Sequence, residues 1–243
     1  MTVKLKQISK NVYILPFDSH RDRPNLGYIH GEKYSMLIDT GNSPAHLTEM
    51  LNEIEKLNLP QPKVALITHW HWDHTFAMHA FNGITIAEKE TDLTLTKLKQ
   101  WPWTPEAMAK RLNSGEECKF CDTHIKIEYD DISEIKVVNA DMTFEDHCSF
   151  DLGNVTLEVQ RIVNPHSEDG VVAYVQEDKV LFAGDADTGD FYLLDGGYDK
   201  EKYYHYIKTV EQYDYQTYIH GHLEPLSKEG IKEERLNIEE EYL

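Results

Sequence analysis

The segment Thr68-His69-Trp70-His71-Trp72-Asp73-His74 puts three histidines and an aspartate within six residues, directly after the apolar run Val64-Ala65-Leu66-Ile67. Histidine is seldom a good core residue, so an apolar strand running straight into three of them needs a chemical reason. Geometry supplies one. In an extended segment, residues two apart point to the same side. His69 and His71 can therefore aim at one ion, while Trp70 and Trp72 face the other way and pack. The chain must then turn. Asp73 can cap a helix that starts near His74, which carries Asp73 and His74 toward a second ion. Imidazole and carboxylate donors suit zinc, and also iron or manganese.

These side chains need elements to hold them. Hydropathy patterning predicts strands and hairpins over residues 3–40. A helix follows over 44–57, opened by Ser43-Pro44, a cap with proline at the first turn. A buried strand covers 64–68, then come the ligand turn, a short helix to about residue 81, and a strand over 84–86. In the second half strands are expected over 155–163, 171–176 and 180–183, the last two joined tightly by Glu177-Asp178-Lys179. A helix over 200–213, a strand over 215–219 and a helix from 228 to the end complete the reading. Periodicity alone gives a mixed α/β chain.

Between the two halves lies an insert, about residues 88–135, with helices expected over 88–100 and 105–112. It contains Trp101-Pro102-Trp103-Thr104-Pro105. Two tryptophans held by prolines either staple the insert to its domain, the commoner role of large aromatics, or form a pocket wall or lid. The insert also holds Cys118-Lys119-Phe120-Cys121. The default reading is a pair of reduced, partly buried thiols. The alternatives are a structural zinc site, with His124 and either Cys148 or His147 as further donors, and redox chemistry. His20, His30, His46, His79, His124, His147 and His205 have no ligand spacing and read as structural or exposed.

The His-rich segment matches the His-x-His-x-Asp-His motif of the metallo-β-lactamase superfamily. Four more segments resemble that family's marks, in its order. Leu37-Ile38-Asp39-Thr40-Gly41 resembles the strand ending in Asp-x-Gly, and Val180-Leu181-Phe182-Ala183-Gly184-Asp185 the strand ending in Gly-Asp. Asn164-Pro165-His166-Ser167 resembles Pro-Gly-His-Thr without its glycine, and Tyr218-Ile219-His220-Gly221-His222 the closing strand that ends in Gly-His. The resemblance runs from about residue 12 to residue 230 and implies one domain, a four-layer αββα sandwich with the helical insert as a candidate lid.

Carried over position by position, the resemblance implies one ion held by His69, His71 and His166, and a second held by Asp73, His74 and His222. Asp185 bridges both, and Asp39 sits behind the ligands and orients them. His220 stands where proline is common. On a strand His220 and His222 would point the same way; His222 is preferred as the ligand because it follows Gly221 and precedes Glu224-Pro225-Leu226-Ser227, which also resembles the family. The implied cofactor is a pair of divalent metal ions, zinc first, with iron or manganese as alternatives. The implied activity is a metal-dependent hydrolase that uses a metal-bridging hydroxide on a small-molecule ester, thioester, lactone or lactam, with Asp73 shuttling a proton. An iron-dependent oxygenase of the persulfide dioxygenase type, a phosphodiesterase and a non-catalytic metal-binding sensor are the other readings. A true β-lactamase is less favoured, because many of those place cysteine where this chain has Asp185.

Composition fits a small-molecule hydrolase. The chain has 243 residues, 40% hydrophobic and 28% charged, ordinary for a globular protein with a sizeable core. A net charge of −19 repels phosphate backbones, so no nucleic-acid partner is expected. No apolar stretch approaches the ~18 residues of a membrane helix. The start of the chain, from Met1 to Gln7, alternates like a strand and lacks an apolar signal core. With three cysteines and no even disulfide framework, a cytoplasmic protein without a membrane partner is expected.

Overall fold

Alternation along the N-terminal strands sorts their side chains onto two faces. In the computed structural model, which describes residues 4–243, β1 is Lys6–Gln7, β2 Val12–Leu15, β3 Leu26–Ile29, β4 Met36–Ile38 and β5 Val64–Leu66. Residues 1–3 of the alternating start lie outside the described residues. Val12, Ile14, Ile29, Met36, Ile38 and Leu66 face one core. Leu15, Tyr28, Leu37 and Ala65 face another. The first core lies between two sheets, because it continues into Leu157, Val159, Val171, Ala173, Val180 and Phe182. The second is closed by Leu47, Met50 and Ile54 on one side of α1 (Pro44–Lys56).

β6 (Ile84–Glu88) and β7 (Met142–Phe144) complete the first sheet, whose seven strands run in sequence order. The second sheet has the order β13-β12-β11-β10-β9-β8. Its members are β8 (His147–Asp151), β9 (Thr156–Arg161), β10 (Val171–Val175), β11 (Val180–Gly184), β12 (Thr217–His220) and β13 (Leu226–Ser227). Its outer face carries Val172, Leu181, Ala183 and Tyr218 against Tyr206 and Val210 of α6 (Lys200–Val210) and Ile231 of α7 (Lys228–Tyr242). The layering is helix, sheet, sheet, helix, as the resemblance implied. Among the described residues, no helix is long and apolar enough to cross a membrane.

Strand direction places the chemistry. β4, β5 and β6 are mutually parallel, and so are β11 and β12. Asp39 follows β4, the His-rich segment follows β5, Asp185 follows β11, and His220 ends β12. Parallel neighbours end on the same edge, so four distant stretches of chain meet at one rim of the sandwich.

The insert folds as α3 (Lys89–Leu98), α4 (Pro105–Ser114) and α5 (Lys119–Glu128). The first two match expectation; α5, like β7 and β8, was not expected. Trp101 and Trp103 pack on the helical core, and the Arg111 guanidinium lies over both rings, 4.5 and 4.7 Å from their centroids. Both tie the insert to the helical core; neither lines the cavity above the donors described below, but Trp101 lines an adjoining cavity together with His71 and His166. The far end of the insert is tied down by Glu128. Its carboxylate takes Arg23 Nη2 at 2.6 Å, Arg23 Nε at 3.1 Å and Arg21 Nη1 at 3.2 Å, and also accepts the Ser43 hydroxyl. Removing Glu128 would leave Arg23 with Glu49 alone, 3.1 Å from Nη1, and take away every hydrogen bond the Glu128 carboxylate accepts. Glu128→Ala is expected to lower unfolding free energy by about 3 kcal/mol, read as a shifted urea midpoint. A shift within error would show that the clamp adds nothing.

Candidate metal centre

β5 prolongs as extended chain through Thr68, held by Ile67 N–H on the Ile86 carbonyl at 2.9 Å and by Val171 N–H on the Thr68 carbonyl at 2.9 Å. That register sets His69 and His71 on one side, with ring centroids 4.6 Å apart. The helix then begins earlier than expected. α2 is Trp72–Thr75, with His71 at its N-cap position and Asp73 inside its first turn. Asp73 therefore does not cap it. Its carboxylate is turned to His74 Nε2 and His222 Nε2, each 3.0 Å from Oδ2.

Two donor sets result: His69, His71 and His166; and Asp73, His74, Asp185 and His222. In the first, His166 Nε2 lies 2.8 Å from His71 Nδ1, and His69 Nε2 has no hydrogen-bond partner. In the second, His222 Nε2 lies 3.0 Å from Asp73 Oδ2 and 3.2 Å from Asp185 Oδ2. His74 Nε2 lies 3.0 and 3.5 Å from the same two oxygens. A tetrahedral zinc with bonds of about 2.0–2.2 Å separates its donors by roughly 3.3–3.6 Å. Most of the distances here are a few tenths of an ångström shorter, so a bound cation would spread the donors slightly; the unpartnered nitrogen and the N/O donor chemistry fit a divalent cation. Asp185 Oδ2 is also 3.8 Å from His166 Nε2, so it stands between the two sets.

The rings are aimed from behind. Asp39, at a left-handed φ of 63°, accepts Thr68 N–H at 2.7 Å and the Thr68 hydroxyl at 2.9 Å, and reaches His74 Nδ1 at 2.7 Å. Holding Nδ1 leaves His74 Nε2 for the cation. His166 Nδ1 sits 2.9 Å from the Gly189 carbonyl, with the same effect on its ring. His220 and His222 do not share a face, since the strand ends at His220. His220 instead pairs through Nε2 with Asp187 at 3.0 Å, and its Nδ1 accepts the His222 N–H at 2.7 Å. His220 thus shapes the turn that presents His222.

The electrostatics divide the same way. Burial, reinforced by neighbouring imidazoles, holds His69 and His71 well below the ordinary imidazole pKa, and burial also lowers His166. These three rings are neutral donors. For His74 and His222, burial opposes charge, but Asp73, Asp39 and Asp185 outweigh it at His74, and Asp185 and Asp73 at His222. Both pKa values are raised, so both rings keep a proton beside the carboxylates. A cation must displace those protons. Its affinity is expected to weaken as pH falls through the raised imidazole values, and binding at neutral pH should release protons. Calorimetric titration with zinc in two buffers of different ionisation enthalpy checks this; identical heats would contradict it.

Three contributors were not singled out in the sequence. Asp22, also at left-handed φ, stands 3.6 Å from His222 Nδ1, and burial together with nearby Asp73 raises its pKa to about 7. Asp169 accepts Trp70 N–H at 2.9 Å and the Thr91 hydroxyl at 2.7 Å, fixing the His-rich segment from the side. Asp187 anchors His220 and accepts the Tyr218 hydroxyl at 2.7 Å. Only Asp187 had a sequence signal: in Gly184-Asp185-Ala186-Asp187 it repeats Asp185 two residues on.

A cavity of about 250 Å³ opens above the donors. His71, Asp73, His166, Asp185 and His222 lie in its lining, as do Phe120, Phe191 and Tyr192. Phe120 comes from the insert and the other two from the loop after Asp187. No lysine or arginine is among its lining residues.

The superfamily model for metallo-β-lactamases matches residues 21–222, which span every donor above. The chain belongs to the metallo-β-lactamase superfamily. Solved structures agree on the fold. A metallo-β-lactamase from Pontibacter korlensis superposes with a TM-score of 0.70 over 97% of this chain and 98% of its own, at 20% identity. A metallo-β-lactamase family protein from Thermus thermophilus gives 0.66 over 96% and 80%, at 15% identity. GOB-18, a metallo-β-lactamase from Elizabethkingia meningoseptica, gives 0.61 over 89% and 76%, at 17% identity. Among curated proteins, none matches this chain in sequence. The superfamily generally binds divalent metals, and this member presents two groups of histidines and aspartates able to do so.

Proposed function

We propose that this superfamily member is a hydrolase dependent on two divalent cations, zinc in the first instance, acting on an uncharged small-molecule thioester, ester or lactone. The observation that carries the reading is the junction of the two donor sets at Asp185, on the floor of an aromatic-walled cavity. His69, His71 and His166 would hold one cation, Asp73, His74 and His222 the other, with Asp185 shared. When bound, such ions supply a water that ionises near neutral pH and polarise the oxygen of an electrophile.

The chain's own residues do the rest. Asp73 stays ionised although buried, because His74 and His222 face its carboxylate. Its Oδ2 can take the proton of the attacking water and return it to the leaving group. Phe120, Phe191 and Tyr192 exclude water and pack an apolar acyl chain. β-Lactam substrates carry a carboxylate. Beyond the proposed metal ions, the cavity lining offers that group no lysine or arginine, and it adds Asp22. This favours uncharged substrates.

The test is a panel of thioesters, aryl esters, lactones, β-lactams and phosphodiesters with zinc-equilibrated protein. The highest kcat/KM is expected among the uncharged acyl substrates. Preference for phosphodiesters, or one iron per chain with oxygen consumption, would overturn the reading. Asp73→Asn should lower kcat by about 10²-fold or more while KM changes little, with metal content measured alongside. Full activity would remove Asp73 from proton transfer.

A further inference from the structure

A second cluster reaches the wall of the same cavity through Cys121 and takes no part in the chemistry above. Donor atoms of Glu117, Cys118 and Cys121 lie within 4.8 Å of one another. Cys118 is the N-cap of α5, half-exposed, and its Sγ accepts the Cys121 N–H at 3.2 Å. Cys121, one turn further on, is buried and lines the cavity. Glu117 is 4% exposed. Its Oε1 accepts the Cys118 N–H at 3.1 Å and the Tyr192 hydroxyl at 2.9 Å.

A structural zinc site needs about four donors, and this cluster gathers three. Glu117 Oε1 already serves two hydrogen bonds. The sequence suggested His124 as a third ligand and Cys148 or His147 as a fourth. His124 is half-buried, its Nδ1 lies on the Phe120 carbonyl at 2.9 Å, and its ring rests on Phe120 with centroids 4.1 Å apart. Cys148 and His147 lie on β8, in the other sheet. The arrangement suits a dithiol better: a half-exposed thiol at a helix N-terminus, an enclosed thiol in the next turn, and a buried carboxyl beside both.

We propose that Cys118 and Cys121 form a thiol–disulfide exchange site whose co-substrate is a low-molecular-weight disulfide. The Cys118 thiolate attacks one sulfur of that disulfide, forms a mixed disulfide and releases one small thiolate. Glu117 then takes the proton of Cys121. The Cys121 thiolate attacks Cys118 Sγ, closes the intrachain disulfide and releases the second small thiolate. Two protein thiols are oxidised and one external disulfide is reduced to two thiols. The electrostatics assign the roles the same way. The contact with Cys121 and the first-turn N–H groups lower the Cys118 thiol, whereas Cys118 and burial raise Cys121. Burial lifts Glu117 to about 7, the range of a proton acceptor at neutral pH. Phe120 lies between the two cysteines and lines the cavity, so closing the disulfide alters the wall that meets substrate.

The experiment is intact-mass analysis of reduced, zinc-equilibrated protein treated with oxidised glutathione, with peptide mapping. The wild type should lose two hydrogens, reversibly with dithiothreitol, and the bond should map to Cys118 and Cys121. Cys121→Ser should stop as a glutathione adduct on Cys118. Cys118→Ser, which keeps a good helix cap, should remain unmodified in the insert. Glu117→Gln should slow closure roughly tenfold at neutral pH without slowing adduct formation, a split that a structural role would not produce. A wild type that stays reduced, one that stops as the adduct, or one protected by a zinc ion that both cysteine variants lose would overturn the proposal. The outcome does not depend on hydrolase activity.

Discussion

Asp185→Asn is expected to lower kcat/KM on the best substrate by on the order of 10³-fold, about 4 kcal/mol of barrier. The same change should reduce bound metal. Asp185 Oδ2 is the atom that stands between the two donor sets, 3.2 Å from His222 Nε2, 3.5 Å from His74 Nε2 and 3.8 Å from His166 Nε2. Burial opposes its charge, but His222 and His74 outweigh burial and hold its pKa well below the usual carboxylate range. An amide of the same shape keeps the packing and removes the charge. His222 and His74 then lose a carboxylate that raises their pKa values, so both should titrate lower, which NMR of the imidazoles can follow. A variant that kept its metal and activity would deny Asp185 the shared position.

Gly221→Ala should be nearly as damaging, although it adds one methyl and removes no donor. A Cβ at Gly221 would stand 1.9 Å from Asp185 Oδ1, far inside any contact distance. The backbone cannot retreat. Gly221 N–H is bound to the Gly184 carbonyl at 2.8 Å, and its own carbonyl accepts Asn25 N–H at 2.6 Å. The carboxylate must swing instead, out of the space between the donor sets. Metal content and turnover should fall together, with a stability loss of about 1–3 kcal/mol from overpacking. Activity within twofold of wild type would mean that the rim relaxes more easily than its hydrogen bonds imply.

Gly221 also marks how far the sequence could be read. The cluster from His69 to His74 was legible because ligand-type side chains are rare at such density after an apolar strand, and strand alternation set His69 and His71 on one side; His166, Asp185 and His222 came only from the family resemblance. The strands themselves stood out wherever both faces are buried, as in β10 and β11. The helix α5 did not. Its N-cap is a cysteine rather than serine, threonine or aspartate, and its buried residues in the helix, Cys121, Asp122 and Ile125, make a thin apolar stripe. The N-terminus of α2 was misplaced because Asp73 looks like a cap while its carboxylate is engaged by histidines. Asp22 and Asp169 carry no local pattern; each acquires its role from chain far away, as Glu128 does from Arg23 across 105 residues. His222 was preferred over His220 as the ligand on sequence grounds; what the sequence did not show is the turn at Gly221 that separates the two and the Asp187 carboxylate that holds the His220 ring.

The central claim is tested most directly by counting metal. After treatment with chelator, re-equilibration with zinc and desalting, elemental analysis should find about two zinc ions per chain. The same protein carrying His71→Ala and Asp185→Asn together should hold fewer than one. A wild type that holds no zinc, or a double variant that holds as much as wild type, would contradict the account.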